Sequence, residues 1–246
     1  GDSRYGYSMS QGGNLLQYDR ESGTTRAIRP VHPDGVPLRF NWDAGIAQDP
    51  FDVSTVYYGS QFLHKSTDRG YTWQTISPDL TTDDPEKQRQ EESGGLTIDN
   101  TTAENHCTIF AIAPSPLDKE IIWVGTDDGN LQVSRDGGDS WTRLEGGLPQ
   151  TMVGRIGMDI SPVDPDVLFA VVDAKEKEER GTYRSADAGA SWSAPVALNA
   201  NAASDAGYDG YPQVTTDGAG NWLAVWHSSS EEGGVGNEGR SRWPPY

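Results

Sequence analysis

The chain has 246 residues, among them 29 Gly, 15 Pro, 8 Trp and one Cys, and a formal net charge of −18. That length suffices for one all-β domain with a sizeable core, and the charge excludes nucleic acid and anionic membrane as partners, since both demand a basic face. A single Cys107 excludes an internal disulfide and, in a strand-like context, reads as a buried small hydrophobe. No apolar run approaches the roughly eighteen residues of a membrane span, so no membrane insertion is expected.

The chain opens at Gly1-Asp2 without a leader, as expected of a processed or excised piece. Residues 1–30 hold Asn14-Leu-Leu-Gln-Tyr18-Asp19 and then Gly23-Thr-Thr25. This reads as a worn outer hairpin, the tail of a preceding repeat unit. Three fuller units follow. Each begins with a strand (residues 44–47, 108–113 and 155–160) and turns at Pro50-Phe-Asp52, Pro116-Leu-Asp118 or Pro162-Val-Asp164. An apolar strand comes next: Val56-Tyr-Tyr-Gly59, Ile122-Trp-Val-Gly125 or Leu168-Phe-Ala-Val171. β-Branched and aromatic residues favour the pleated, half-buried surface of a sheet.

A third strand then runs into an eight-residue phrase that occurs three times. It reads Ser66-Thr-Asp68-Arg-Gly70-Tyr-Thr72-Trp73, Ser134-Arg-Asp136-Gly-Gly138-Asp-Ser140-Trp141 and Ser185-Ala-Asp187-Ala-Gly189-Ala-Ser191-Trp192. The shared pattern, Ser-x-Asp-x-Gly-x-(Ser/Thr)-Trp, is a hairpin turn. Glycine supplies a positive φ, the Asp carboxylate accepts turn N–H groups, and the Trp re-enters a fourth strand. Between the first two phrases, residues 77–105 are long, polar and acidic and read as a loop; residues 175–180 read as a charged hairpin tip. After Trp192, residues 211–227 read as two strands around Asp217-Gly-Ala-Gly-Asn221, and from Ser230 onward no strand is expected.

On these three phrases the chain resembles the Asp-box (BNR-repeat) β-propellers, which include sialidases, sortilin-type propellers and xyloglucan hydrolases. Residues 39–43, 65–82 and 107–142 look like the exported bacterial sortilin-like proteins, and residues 185–229 like the sialidase-like exported repeats. The resemblance implies an all-β propeller of four-stranded antiparallel blades. Blades of about 45–70 residues give four or five of them, arranged as a small ring or a partial propeller: a partial 1–45, then 46–104, 105–152, 153–207 and a partial 208–246. It also implies an extracytoplasmic (periplasmic or secreted) bacterial protein. The phrase residues Ser66, Asp68, Gly70, Trp73, Ser134, Asp136, Gly138, Trp141, Ser185, Asp187, Gly189 and Trp192 are structural in this reading.

Sialidase chemistry needs an arginine clamp, a Tyr–Glu nucleophile pair and an Arg-Ile-Pro signature. Here Arg26-Ala-Ile28-Arg29-Pro30 has the ingredients in the wrong order, and Arg155-Ile156 is followed by Gly157. A xyloglucan-type hydrolase needs two carboxylates across a cleft; Asp43 beside Trp42 is one candidate. Asp127-Asp-Gly-Asn130 and the 217–221 stretch offer oxygen ligands to Ca²⁺ but read first as turns. No cofactor and no metal site are expected. The sequence therefore points to a non-catalytic binding or scaffold module, recognising a protein or carbohydrate ligand at the end of the channel where inner strands begin. Arg39, Asn41, Trp42, Asp43, Glu104, Asn105, His106 and Arg155 fall there. The alternative is a glycoside hydrolase, xyloglucanase- or sialidase-like. Two carboxylates at the channel mouth would favour the hydrolase, and an apolar channel the module. Association through unclosed blade edges is a further expectation.

Overall fold

The computed structural model describes residues 3–89, 105–149, 153–196, 209–216, 222–228 and 237–243. Within them the chain folds into five antiparallel sheets that succeed one another along the sequence without a crossover. The first holds β1 (Tyr5–Ser10), β2 (Asn14–Asp19) and β3 (Thr24–Ala27). The second holds β4 (Ile46–Gln48), β5 (Val56–Gly59), β6 (Leu63–Ser66) and β7 (Gln74–Thr75). β8 (Ile109–Pro114), β9 (Ile122–Thr126), β10 (Leu131–Ser134) and β11 (Thr142–Arg143) form the third. The fourth is β12 (Val153–Ile160), β13 (Leu168–Ala174) and β14 (Gly181–Ser185), and the fifth β15 (Asp209–Thr216), β16 (Trp222–Ser228) and β17 (Asn237–Trp243). The helical residues described are two single 3₁₀ turns, Gln11–Gly13 and Lys177–Glu179. This is a nearly all-β, propeller-type succession of blades.

The second strands of the middle sheets explain the layering. Every residue of β5 and β9 is buried, because neighbouring sheets cover both faces. Three apolar cores fill the gaps. Leu15, Ile28, Phe40 and Tyr58 join the first and second sheets, and Tyr57, Leu63, Ile109 and Val124 the second and third. Trp123, Leu131, Ile156, Leu168 and Tyr183 join the third and fourth. β15 of the fifth sheet lies against β12 and β13.

The turns follow from local chemistry. In each Pro-x-Asp turn the Asp carbonyl accepts an N–H three residues on, from Thr55, Ile121 or Val167. Its carboxylate accepts the N–H two residues on, at 2.9–3.1 Å. In the repeated phrase the buried Ser66 hydroxyl donates to Asp68 and accepts the Gly70 N–H, and Asp68 in turn accepts the Thr72 N–H at 2.8 Å. Ser134–Asp136 and Ser185–Asp187 repeat these bonds. The glycines take left-handed φ values of 89°, 110° and 83°, so the expected need for glycine is met. The residue before each (Arg69, Gly137, Ala188) is left-handed too.

Three expectations need correction. Residues 1–30 are not only outer strands: they build a complete three-stranded sheet whose β1 reaches the innermost position, because Met9 packs beside Ala44 at the head of β4. The chain beyond Ser230 forms β17, whose partner β16 offers a seven-residue ladder. Cys107 is buried as a small hydrophobe, but it sits at φ 61° in a bend before β8 rather than in a strand.

Candidate functional site

The segment leading into β4 carries most of the predicted site residues, and it is tied down by its own side chains. Arg39 donates from Nη2 to Asp79 Oδ2 at 2.6 Å and to Thr81 Oγ1 at 3.2 Å, and from Nε to the Cys107 carbonyl at 3.2 Å. Its Nη1 pairs with Asp83 at 3.1 Å. One guanidinium thus fastens three chain segments, and two carboxylates already neutralise it. Arg39 is a fastener here, with little left to clamp a ligand.

Asn41 is also turned inward. Its amide donates to Asp127 Oδ2 at 2.8 Å, and its carbonyl oxygen accepts the Trp42 N–H. Asp127 further accepts the Thr108 N–H and hydroxyl, at 2.8 and 2.7 Å. Burial pushes the Asp127 carboxyl above the ordinary carboxylate range, and those hydrogen bonds oppose it. Asp128 accepts the N–H and hydroxyl of Thr82, both at 2.7 Å, and the hydroxyl of Thr126. Read in sequence as a turn, Asp127-Asp128 is a turn whose two carboxylates each pin a different loop. Among the described residues no cluster of three or more His, Cys, Asp or Glu is arranged to hold a metal ion.

Asn105 donates to the Phe40 carbonyl at 3.0 Å. Burial pushes the Cys107 thiol up to about 12, which removes it as a nucleophile near neutral pH. Of the remaining predicted residues, Trp42 (45 % exposed) and His106 lie open to solvent, and the Arg155 guanidinium rides 5.4 Å from the centre of the Phe110 ring. Glu104 lies outside the described residues.

Asp43 stands apart from this network. It lines a cavity of about 410 Å³, together with Met9, Ala44, Gly45, Ile46, Phe110, Ala111, Ile112 and Met158. Those residues come from the first strands, or the approaches to them, of four successive sheets, so the cavity lies where the innermost edges converge. Its volume falls in the range of small-ligand sites, about 300–1,000 Å³. Asp43 makes no hydrogen bond or ion pair among the described residues. Sequence reasoning missed both methionines. Met158 alternates with Ile156 and Ile160 on β12 and so reads as core; Met9 lay in a segment assigned to outer strands.

No protein-family model matches the chain, and neither does any curated protein. Among solved structures it is similar to a GH74 enzyme from Niastella koreensis, at 17% identity and a TM-score of 0.60, over 97% of this chain and 34% of that one. It also matches YCF48 from Cyanidioschyzon merolae (18% identity, TM-score 0.48, 84% of this chain and 59% of that one). TolB from Acinetobacter baumannii is a third match (12%, 0.49, 95% and 52%). The first speaks for the fold; the other two superpose too loosely to add to it. The chain spans about a third of the length of the GH74 enzyme.

Proposed function

We propose that the chain is a non-catalytic binding or scaffold module of an exported bacterial Asp-box propeller protein, with its ligand seated at the convergence of the innermost strands. One observation carries this reading: among the described residues that wall the cavity there, the side chains are apolar except for a single carboxylate, Asp43. Glycoside hydrolysis runs on two carboxyl groups, about 5–5.5 Å apart for retention and about 6.5–9.5 Å for inversion. Among the described lining residues Asp43 has no such partner. The carboxylates of the adjoining network, Asp79, Asp83, Asp127 and Asp128, are already engaged with Arg39, Asn41, Thr108 and Thr82.

The glycoside hydrolase reading keeps one point in its favour: the exposed Trp42 directly precedes Asp43 in the chain, and Asp43 has no hydrogen bond or ion pair among the described residues. A reducing-end assay on xyloglucan and a fluorogenic sialoside assay separate the two. The module predicts no turnover of either substrate. Turnover by the purified chain that is abolished in Asp43→Asn would establish the hydrolase instead.

A further inference from the structure

We propose that this cavity receives the cationic side chain of a basic peptide, a lysine or arginine, with Asp43 as its counter-ion. This deepens the binding-module reading and rests on it.

Charge selects the sign of the ligand. The chain carries −18, so its field draws cations toward any opening and repels acidic ligands. Within that field most carboxylates near the cavity have partners of their own. Asp79 and Asp83 hold Arg39; Asp127 holds Asn41 and Thr108; Asp128 holds Thr82 and Thr126. Asp43 has none among the described residues, yet it lines an otherwise apolar space. Arg155 approaches this lining from β12, but its guanidinium is directed over the Phe110 ring. A carboxylate left unpaired against apolar walls gains when a ligand brings the missing positive charge.

The walls select the rest of the ligand. Met9 and Met158 are two of the three methionines in the chain, and both line this cavity. Thioether side chains are flexible and polarisable, which suits an apolar stem of variable shape. Lysine and arginine carry such a stem and bury it along apolar surface while their charge reaches a polar partner. Phe110 brings to the lining a ring that already draws one cation, the Arg155 guanidinium 5.4 Å from its centre. A sugar ring presents a hydroxyl on nearly every carbon and needs several donors and acceptors around it. The described lining offers one polar side chain.

The test uses the 246-residue chain and three fluorescently labelled, end-capped peptides of equal length that alternate Leu with Lys, Gln or Glu. Binding is read by anisotropy for the wild type, for Asp43→Asn, and for Glu176→Gln. The last removes one charge from the exposed tip between β13 and β14. The Leu–Lys peptide should bind wild type best and weaken roughly tenfold or more on Asp43→Asn. Glu176→Gln should change its affinity less than about twofold, as expected of an exposed charge outside the interface. Asp43 holds no partner among the described residues, so Asp43→Asn should keep the wild-type melting temperature. Equal weakening in both variants would assign the attraction to net charge and overturn the proposal, as would absence of Leu–Lys binding. Leu–Gln binding that ignores Asp43 would overturn the counter-ion and leave the module standing. Glycan turnover would remove the module itself.

Discussion

The Trp73 indole N–H donates to the carbonyl oxygen of Ile28 at 2.7 Å, a contact between the repeated phrase of the second sheet and the residue that ends the first. The next repeat does the same: Trp141 donates to the Ile76 carbonyl at 3.3 Å. The glycines of the three phrases meet the equivalent residues. A Cβ added at Gly70 would lie 2.4 Å from Ile28 Cδ1, at Gly138 2.9 Å from the Ile76 oxygen, and at Gly189 2.7 Å from Leu144 Cδ1. Ile28, Ile76 and Leu144 each follow the last strand of their sheet and donate back to Leu15, Leu63 and Leu131. The phrase therefore closes its own turn and also docks that turn onto the preceding sheet.

Gly70→Ala should destabilise by about 1–3 kcal/mol, from overpacking and from a side chain forced to positive φ. Ile28→Ala removes the atom that the new methyl would strike. In a urea-denaturation double-mutant cycle the pair should therefore cost less than the sum of the singles. Strict additivity would show that the glycine is needed only for φ.

Ser134 is fully buried; it donates to Asp136 and accepts the Gly138 N–H at 2.8 Å. Ser134→Ala strands that N–H and should cost about 1–3 kcal/mol. Binding at the Asp43 cavity should not change. Lost binding at unaltered stability would move the phrase from scaffold to site.

Acid should weaken the fold through His64. Its ring is buried beside Phe62, with Nε2 2.8 Å from the Ser60 hydroxyl, and burial lowers its pKa from 6.5 to about 4. The unfolded chain takes up this proton near pH 6.5 while the folded chain refuses it until about pH 4. The His64 contribution is thus complete above pH 6.5 and lost as the pH falls toward 4, about 3 kcal/mol in all. The Ser140 and Ser191 hydroxyls hold the Asp136 and Asp187 carboxyls below 3.8, so their share is lost only in stronger acid. Asp127, raised by burial, has the opposite sign: its share is present below 3.8 and is lost as the pH rises through its folded value. Urea midpoints at pH 7 and pH 4.5 should differ much more for wild type than for His64→Gln. Matching differences would remove His64 from the account.

The strand succession and both kinds of turn could be read from the sequence because their determinants are local. Pro-x-Asp and Ser-x-Asp-x-Gly each hold the donors and acceptors of their own turn within a few residues. The inner network was hidden for the opposite reason. Arg39 finds Asp79 40 residues away, and Asn41 finds Asp127 86 residues away. Nothing near Arg39 in the sequence signals that its charge is already met, so it looked as available to a ligand as Asp43. The cavity was harder still, since it draws one or a few residues from each of four sheets.

The two ends of the chain set the last prediction. Among the described residues no strand of the first sheet pairs with one of the fifth; each end completes a sheet of its own. On β2, Leu15 and Gln17 point into the second sheet, where Leu15 joins the core and the Gln17 amide bonds the Arg69 carbonyl. Leu16 and Tyr18 alternate to the other face and remain 39 % and 41 % exposed. In a succession of stacked sheets that face is where a further sheet would lie, and apolar side chains there favour association. Sedimentation velocity over a hundredfold range of concentration should show reversible self-association. The double variant Leu16→Lys with Tyr18→Lys should reduce it at nearly unchanged stability, because neither side chain belongs to a core. A chain that stays monomeric at every concentration would show that this face needs no cover, and the same association in the double variant would place the contact elsewhere.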